Sequence, residues 1–226
     1  MYSKQQVAAT MDHAVLKPYN TDQDIVHNAR MCVQYGVASM CVRPSDVALA
    51  ARELKGSAVK VSAVVGFPHG AHRPETKALE SRLALDDGAV ELDMVMNIGK
   101  FKSGDFAWVQ RDIEAVVAEA RPRAALVKVI LETCWLSPAE IVKACEISLA
   151  AGADFVKTST GFGDGPATPE AVEVMLKSVG GRIGVKASGG IRTWETAASY
   201  LRQGCKRLGV ASTQAIMEGA PADDAY

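Results

Sequence analysis

SPAEIVKACEISLAAGADFVKTS, residues 137–159, holds one complete helix-to-strand unit. Ser137 followed by Pro138 reads as a helix start. The hydroxyl caps the first turn, and proline's fixed φ and missing N–H cost nothing at the first helical position. Gly152, just past the periodic stretch, reads as the stop. Residues 154–158 then read as a short strand. The same grammar recurs along the chain. Thr21 precedes Asp22 and Asp24, Pro44 opens a segment that ends at Gly56, and Pro74 opens another that ends at Gly88. Thr168-Pro169 and Thr193 start two more. Apolar or β-branched runs lie between them at 11–15, 37–42, 58–66, 89–94, 125–132, 154–158, 183–188 and 206–210.

Eight strand candidates repeat every 28 residues or so, about the length of one βαβ step. No linker or shift of composition divides them. The expected fold is α/β: a single (β/α)8 TIM barrel over residues 1–217, with a short extra N-terminal helix near 4–9 and a flexible C-terminal tail over 218–226. An open doubly wound sheet is the alternative. Eight regular units with no nucleotide fingerprint at the first turn favour closure.

The 226 residues are 48% hydrophobic and 23% charged, the balance of a globular chain able to bury a large core. A net charge of −1 leaves no basic excess to argue for nucleic acid or a membrane surface. Five cysteines with no C-x-x-C pair point away from disulfides and structural zinc, and towards a reducing compartment. They read as small core residues. MYSKQQVAATMDHAVL lacks the apolar block of a signal peptide, so a cytoplasmic protein is expected.

Charge on one face of several strands is the anomaly. Strands covered on both sides normally read as continuous apolar runs. In VELDM, Val90, Leu92 and Met94 alternate with Glu91 and Asp93. In LVKVILE, Val127, Val129 and Leu131 alternate with Lys128, Ile130 and Glu132. Phe155 shares a face with Lys157, and Gly184 with Lys186 and Ser188. The apolar faces are expected against the helices. Glu91, Asp93, Lys128, Glu132, Lys157 and Lys186 would then point into the barrel. Buried charges cost several kcal/mol unless paired, so a merely structural interior would use Val, Ile and Leu.

Lys157 and Lys186 stand near the C-terminal ends of neighbouring strands, the rim where barrel active sites form. A lone lysine there is usually a snorkelling or surface residue; the argument rests on Lys157, Lys186, Lys128 and Asp93 sharing one face. Two lysines and an acid suggest Schiff-base chemistry. At the reference pKa of ~10.4, only roughly one amine in 2500 is neutral at pH 7. A second ammonium and partial burial both disfavour the charged form. Asp93 would relay protons. No metal and no organic cofactor is called for. His69 and His72 form H-x-x-H without the glutamate or cysteines of a metal motif, and are not read as ligands. Ser188-Gly189-Gly190-Ile191-Arg192 and Gly209-Val210-Ala211-Ser212 follow the seventh and eighth strands, where barrels commonly bind phosphate. Ordinary turns are the alternative there. Gly161, Gly163 and Gly165 read as a mobile loop after the sixth strand.

Several of these stretches resemble the deoxyribose-phosphate aldolase family of class I (DeoC/FbaB) aldolases. They are Asp12-His13 with Leu16-Lys17-Pro18, GFPHG (66–70), GAVELDMVMNIG (88–99), LVKVILET (126–133), GADFVKTSTGF (152–162) and VKASGGIRT (185–193). The resemblance implies a (β/α)8 lyase that reversibly cleaves 2-deoxy-D-ribose 5-phosphate to D-glyceraldehyde 3-phosphate and acetaldehyde, in deoxynucleoside catabolism. It implies Lys157 as the nucleophile, Lys186 as the perturbing ammonium and Asp93 as the proton carrier, with Lys128 and Asp12 supporting. It assigns phosphate to Gly161, Gly189, Gly190, Arg192, Gly209 and Ser212. Its partners are small phosphosugars and aldehydes, with no nucleic acid or membrane, and a homo-oligomer, a dimer first. Tyr226 ends the chain as in some relatives, where a tail phenol would shuttle the enamine proton. Three departures stand out: Ala14-Val15 for Thr-Leu, Val210-Ala211-Ser212 with one hydroxyl fewer for phosphate, and Phe162 where some relatives carry Lys. The rivals are another lysine-dependent barrel aldolase or transaldolase, and a non-catalytic phosphosugar-binding barrel.

Overall fold

A computed structural model describes residues 2–219. Eight parallel strands close into a barrel in sequence order: β1 (Met11–Val15), β2 (Ser39–Val42), β3 (Lys60–Val65), β4 (Glu91–Val95), β5 (Leu126–Ile130), β6 (Phe155–Lys157), β7 (Gly184–Ser188) and β8 (Arg207–Val210). The strands start later than expected at several places. Val37 N–H, for instance, bonds back to Cys32 O in the exit from a helix, so bonding to the neighbouring strands begins only at Ala38 and the strand itself at Ser39.

The helices are α1 (Lys4–Ala8), α2 (Asp22–Tyr35), α3 (Val47–Glu53), α4 (Pro74–Asp86), α5 (Ile98–Lys102), α6 (Phe106–Ala120), α7 (Pro138–Ala150), α8 (Pro169–Val179), α9 (Trp194–Gln203) and α10 (Thr213–Glu218). Thr21 and Ser137 each form a reciprocal capping box, with Asp24 and Glu140. Between β4 and β5, where the reading of the sequence named no helix, α6 runs fifteen residues behind an Asp105 cap. Glu218, expected to begin the tail, is the last residue of α10 and accepts a hydrogen bond from Tyr35 Oη at 2.5 Å. No helix among the described residues is long and apolar enough to cross a membrane.

The main core lies between barrel and helices. Leu92, Met94, Val127, Val129, Val156, Val185, Ala187 and Leu208, the outward halves of their strands, are all buried in it. A second, small apolar cluster (Leu16, Cys41 and Val64, with Ala14 and Phe67 packed on it) belongs to β1–β3 and the loops that follow β1 and β3. Behind β3 and β4, fully buried Lys77 pairs with Asp112 at 2.5 Å and donates to Val95 O at 2.7 Å. Glu80 accepts from Gly66 N–H at 2.7 Å. These contacts pin the end of β4 and the loop after β3 to α4 and α6. Four cysteines are buried as expected; Cys134, in the short 3-10 turn that follows β5, is exposed.

Candidate active site

The inward positions of β4–β8 and of β1 carry the charges. The register sets Asp93 beside Lys128, Lys157 beside Lys186, and Lys186 beside Arg207. Lys157 Nζ donates to Asp93 Oδ2 at 2.9 Å, and Lys186 Nζ donates to the same oxygen at 2.7 Å. Asp93 Oδ1 accepts from Lys128 Nζ at 2.8 Å and from Ser62 Oγ at 3.2 Å. Lys186 also pairs with Asp12 at 2.5 Å, and Lys128 with Glu91 at 2.6 Å. Arg207 holds Glu91 at 2.6 Å and also bonds Asp12. Asp12, Asp93 and Lys128 are wholly buried; Lys157 is 3% exposed.

The two neighbouring lysines differ electrostatically. Burial pushes the Lys157 amine below the ordinary lysine value; Asp93 pulls it back, and the Lys186 ammonium adds to the effect of burial. Lys186 is equally buried, but Asp12 and Asp93 together outweigh burial and hold it protonated. Lys128 behaves likewise among Asp12, Asp93 and Glu91. Asp12 and Asp93 are held well below the usual carboxylate range, their cations overcoming the burial that opposes ionisation. Both causes expected from the sequence act on Lys157, and burial is the larger.

Above this floor a cleft is lined by Asp12, Ala14, Leu16 and Cys41 on one side and by Lys157, Lys186 and the loops after β6, β7 and β8 on the other. All six residues expected at phosphate line it: Gly161, Gly189, Gly190, Arg192, Gly209 and Ser212. Gly189 and Gly190 have φ of +89° and +75°, and a Cβ on Gly190 would lie 2.8 Å from Pro166 Cβ. The glycine pair therefore brings main chain, not side chain, to the cleft. Phe162, in the loop after β6, meets Phe67, from the loop after β3, edge to face at 5.2 Å.

Glu132 departs from expectation. It was placed inside the barrel beside Lys128, but β5 ends at Ile130 and Glu132 takes a left-handed backbone, φ 56°. Alternation stops where the strand stops, so the side chain turns to the next loop. There its buried carboxylate accepts from Thr160 N–H at 3.2 Å and from Thr160 Oγ–H. Sequence reasoning missed Arg207. Its signal was present in Arg207-Leu208-Gly209-Val210, where the arginine alternates with the outward Leu208 as Lys186 does with Val185. Glu91 was read as inward but given no part in the site. Tyr226 lies outside the described residues.

Fold and site together define a barrel aldolase, an enzyme whose closed sheet presents an amine to a carbonyl substrate. The chain belongs to the family described as DeoC/LacD family aldolase, whose pattern it matches over residues 6–218. It is 52% identical over 216 residues to the deoxyribose-phosphate aldolase of Thermococcus gammatolerans, covering 95% of this chain and 96% of that protein. It is 49% identical over 223 residues to that of Clostridium perfringens, 99% of either chain. Among solved structures, a deoxyribose phosphate aldolase from Aeropyrum pernix, described as having a unique tetrameric structure, superposes with a TM-score of 0.90 at 31% identity, over 96% of this chain and 91% of that one.

Proposed function

We propose that this chain is a class I aldolase that reversibly cleaves 2-deoxy-D-ribose 5-phosphate to D-glyceraldehyde 3-phosphate and acetaldehyde, with Lys157 as the nucleophile. The observation that carries the assignment is the meeting of two lysine amines on one oxygen of Asp93 at the floor of a cleft, with only one of the two depressed in basicity. Neutral Lys157 adds to C1 of the open-chain sugar, and loss of water gives the iminium. The C3 hydroxyl loses its proton to water that exchanges with the Asp93 network, and the C2–C3 bond breaks with its electrons taken up by the iminium. Glyceraldehyde 3-phosphate leaves, the enamine is protonated at C2, and hydrolysis frees acetaldehyde and Lys157. Asp93 bridges Lys157 and Lys186, a path along which a proton passes between the amines.

The cleft loops support a phosphate reading for Gly161, Gly189, Gly190, Arg192, Gly209 and Ser212, through main-chain amides and the arginine. A homo-oligomer is part of this reading, supported by the tetrameric Aeropyrum pernix relative; sedimentation of the purified chain decides between dimer and tetramer.

Borohydride reduction in the presence of acetaldehyde, followed by peptide mass mapping, tests the assignment. A single adduct on Lys157, unchanged by EDTA, is expected; an adduct elsewhere, or none, overturns it. Comparing kcat/KM for deoxyribose 5-phosphate and for deoxyribose tests the phosphate loops, and equal values would remove them from the site. A chain lacking Tyr226 should exchange the C2 protons of acetaldehyde more slowly; an unchanged rate discards a role for that phenol.

A further inference from the structure

The buried ion cluster contains three carboxylates, Asp12, Glu91 and Asp93, and four basic side chains, Lys128, Lys186, Arg207 and Lys157. Three negative charges balance three positive ones, and the fourth basic group is in excess. In a low-dielectric interior an unbalanced charge is costly, so the cluster favours the loss of a proton from one base. Arg207 never does. Lys128 is surrounded by all three carboxylates, at 3.3, 2.6 and 2.8 Å, and Lys186 touches two of them. Lys157 touches one, and shares that oxygen with Lys186.

Glu91 and Arg207 lie at the other end of this cluster from Lys157. Arg207 Nη2 meets Glu91 Oε1 at 2.6 Å, and Nη1 meets Oε2 at 3.2 Å while also bonding Asp12. The guanidinium lies over the Phe155 ring at 6.0 Å. Neither residue lines the cleft. On the proposed function, we infer that Glu91 and Arg207 are positioning residues: they act through Lys128 and Asp12 to set the charge count that leaves Lys157, alone of the four bases, as a free amine. The charged and titratable groups that face Lys157 itself are Asp93 from β4, Lys186 from β7, Cys41 from β2 and Glu132 from the turn after β5. Glu132 is bonded to Thr160 and lies outside the ion-paired cluster.

The count gives signs. Arg207→Gln removes a positive charge, and protonating Lys157 then restores balance. The pH midpoint for imine formation should move up by about one unit. Glu91→Gln removes a negative charge and should move the midpoint down by a similar amount. The double variant should return it to the parent position. Arg207→Lys keeps the charge, loses the two-pronged bond and should leave the midpoint in place even if stability falls.

The measurement is the rate of reductive trapping of acetaldehyde on Lys157 in the full-length chain, across a pH series. Each variant is compared with the parent, so that the reductant's own pH dependence cancels. Opposite shifts for the two single variants, reversed in the double variant, support the inference. Shifts in the same direction, no shift, or an Arg207→Lys midpoint that follows Arg207→Gln overturn it while Lys157 still takes the adduct. A parent protein with no Lys157 adduct overturns the proposed function instead, and is recognised before any variant is compared.

Discussion

Lys157 and Lys186 are the same residue type at paired positions on adjacent strands, yet they hold their protons differently. The difference lies in their carboxylates. Lys186 has Asp12 and Asp93, whereas Lys157 has a share in one oxygen of Asp93. Replacing Lys186 with Met removes the nearest ammonium from Lys157, so the midpoint of imine formation should rise and trapping at pH 7 should fall by about tenfold or more. Titration of adduct formation checks this; a midpoint unmoved by the replacement would deny Lys186 its electrostatic part. The parent rate should climb with pH through a midpoint below that of free lysine and then level off, because the depressed amine is already neutral above it. The pairing of these lysines was legible from strand alternation alone. Which one is the weaker base was not, since that depends on Asp12, far away in sequence.

At the scale of the element, the helices are written more plainly than the interior. Ser137 caps α7 with its reciprocal partner Glu140, and Ser137→Ala should cost about 1 kcal/mol in urea unfolding. Gly184 opens β7 for a reason that a propensity scale does not supply. A Cβ there would overlap Phe155 Cε1 and Cδ1, so the ring on β6 occupies the side-chain space of β7. Gly184→Ala should destabilise by about 1–3 kcal/mol through overpacking, measured in the same way; a neutral result would mean that Phe155 moves freely. Glu132 shows where alternation misleads. The pattern of LVKVILE runs on past Ile130, but the regular strand does not: Leu131 N–H still bonds Lys157 O, and the left-handed backbone at Glu132 then redirects the carboxylate to the loop after β6. Arg207 was missed for the converse reason: a single arginine in a four-residue strand reads as a surface charge until its neighbours are known.

For the whole molecule, barrel closure joins the first unit to the last. β1 pairs with β8, and His13 on β1 ties this seam to the helices. Its Nε2–H donates to Asn28 Oδ1 on α2 at 2.8 Å, and its Nδ1 accepts from Thr213 Oγ on α10 at 2.9 Å. Burial lowers this imidazole to about 4, against the 6.5 of an exposed histidine. The unfolded chain therefore binds the proton first as pH falls. The seam keeps its full stability above 6.5 and loses it progressively down to about 4, by about 3 kcal/mol in all. His13→Gln should flatten the pH dependence of unfolding in that window. An identical slope in parent and variant would show that His13 is not the group responsible.

The sequence by itself determined the repeat, the capped helices, the alternation that turns charge inward and the two lysine-bearing strands, because each follows from the local rules of a short segment. Only the tertiary structure decided which of the two lysines is depressed in basicity, that Arg207 and Glu91 complete the cluster, and where Glu132 points. Charge balance and burial are sums over side chains brought together from most of the strands of a closed sheet, and no single segment contains the terms.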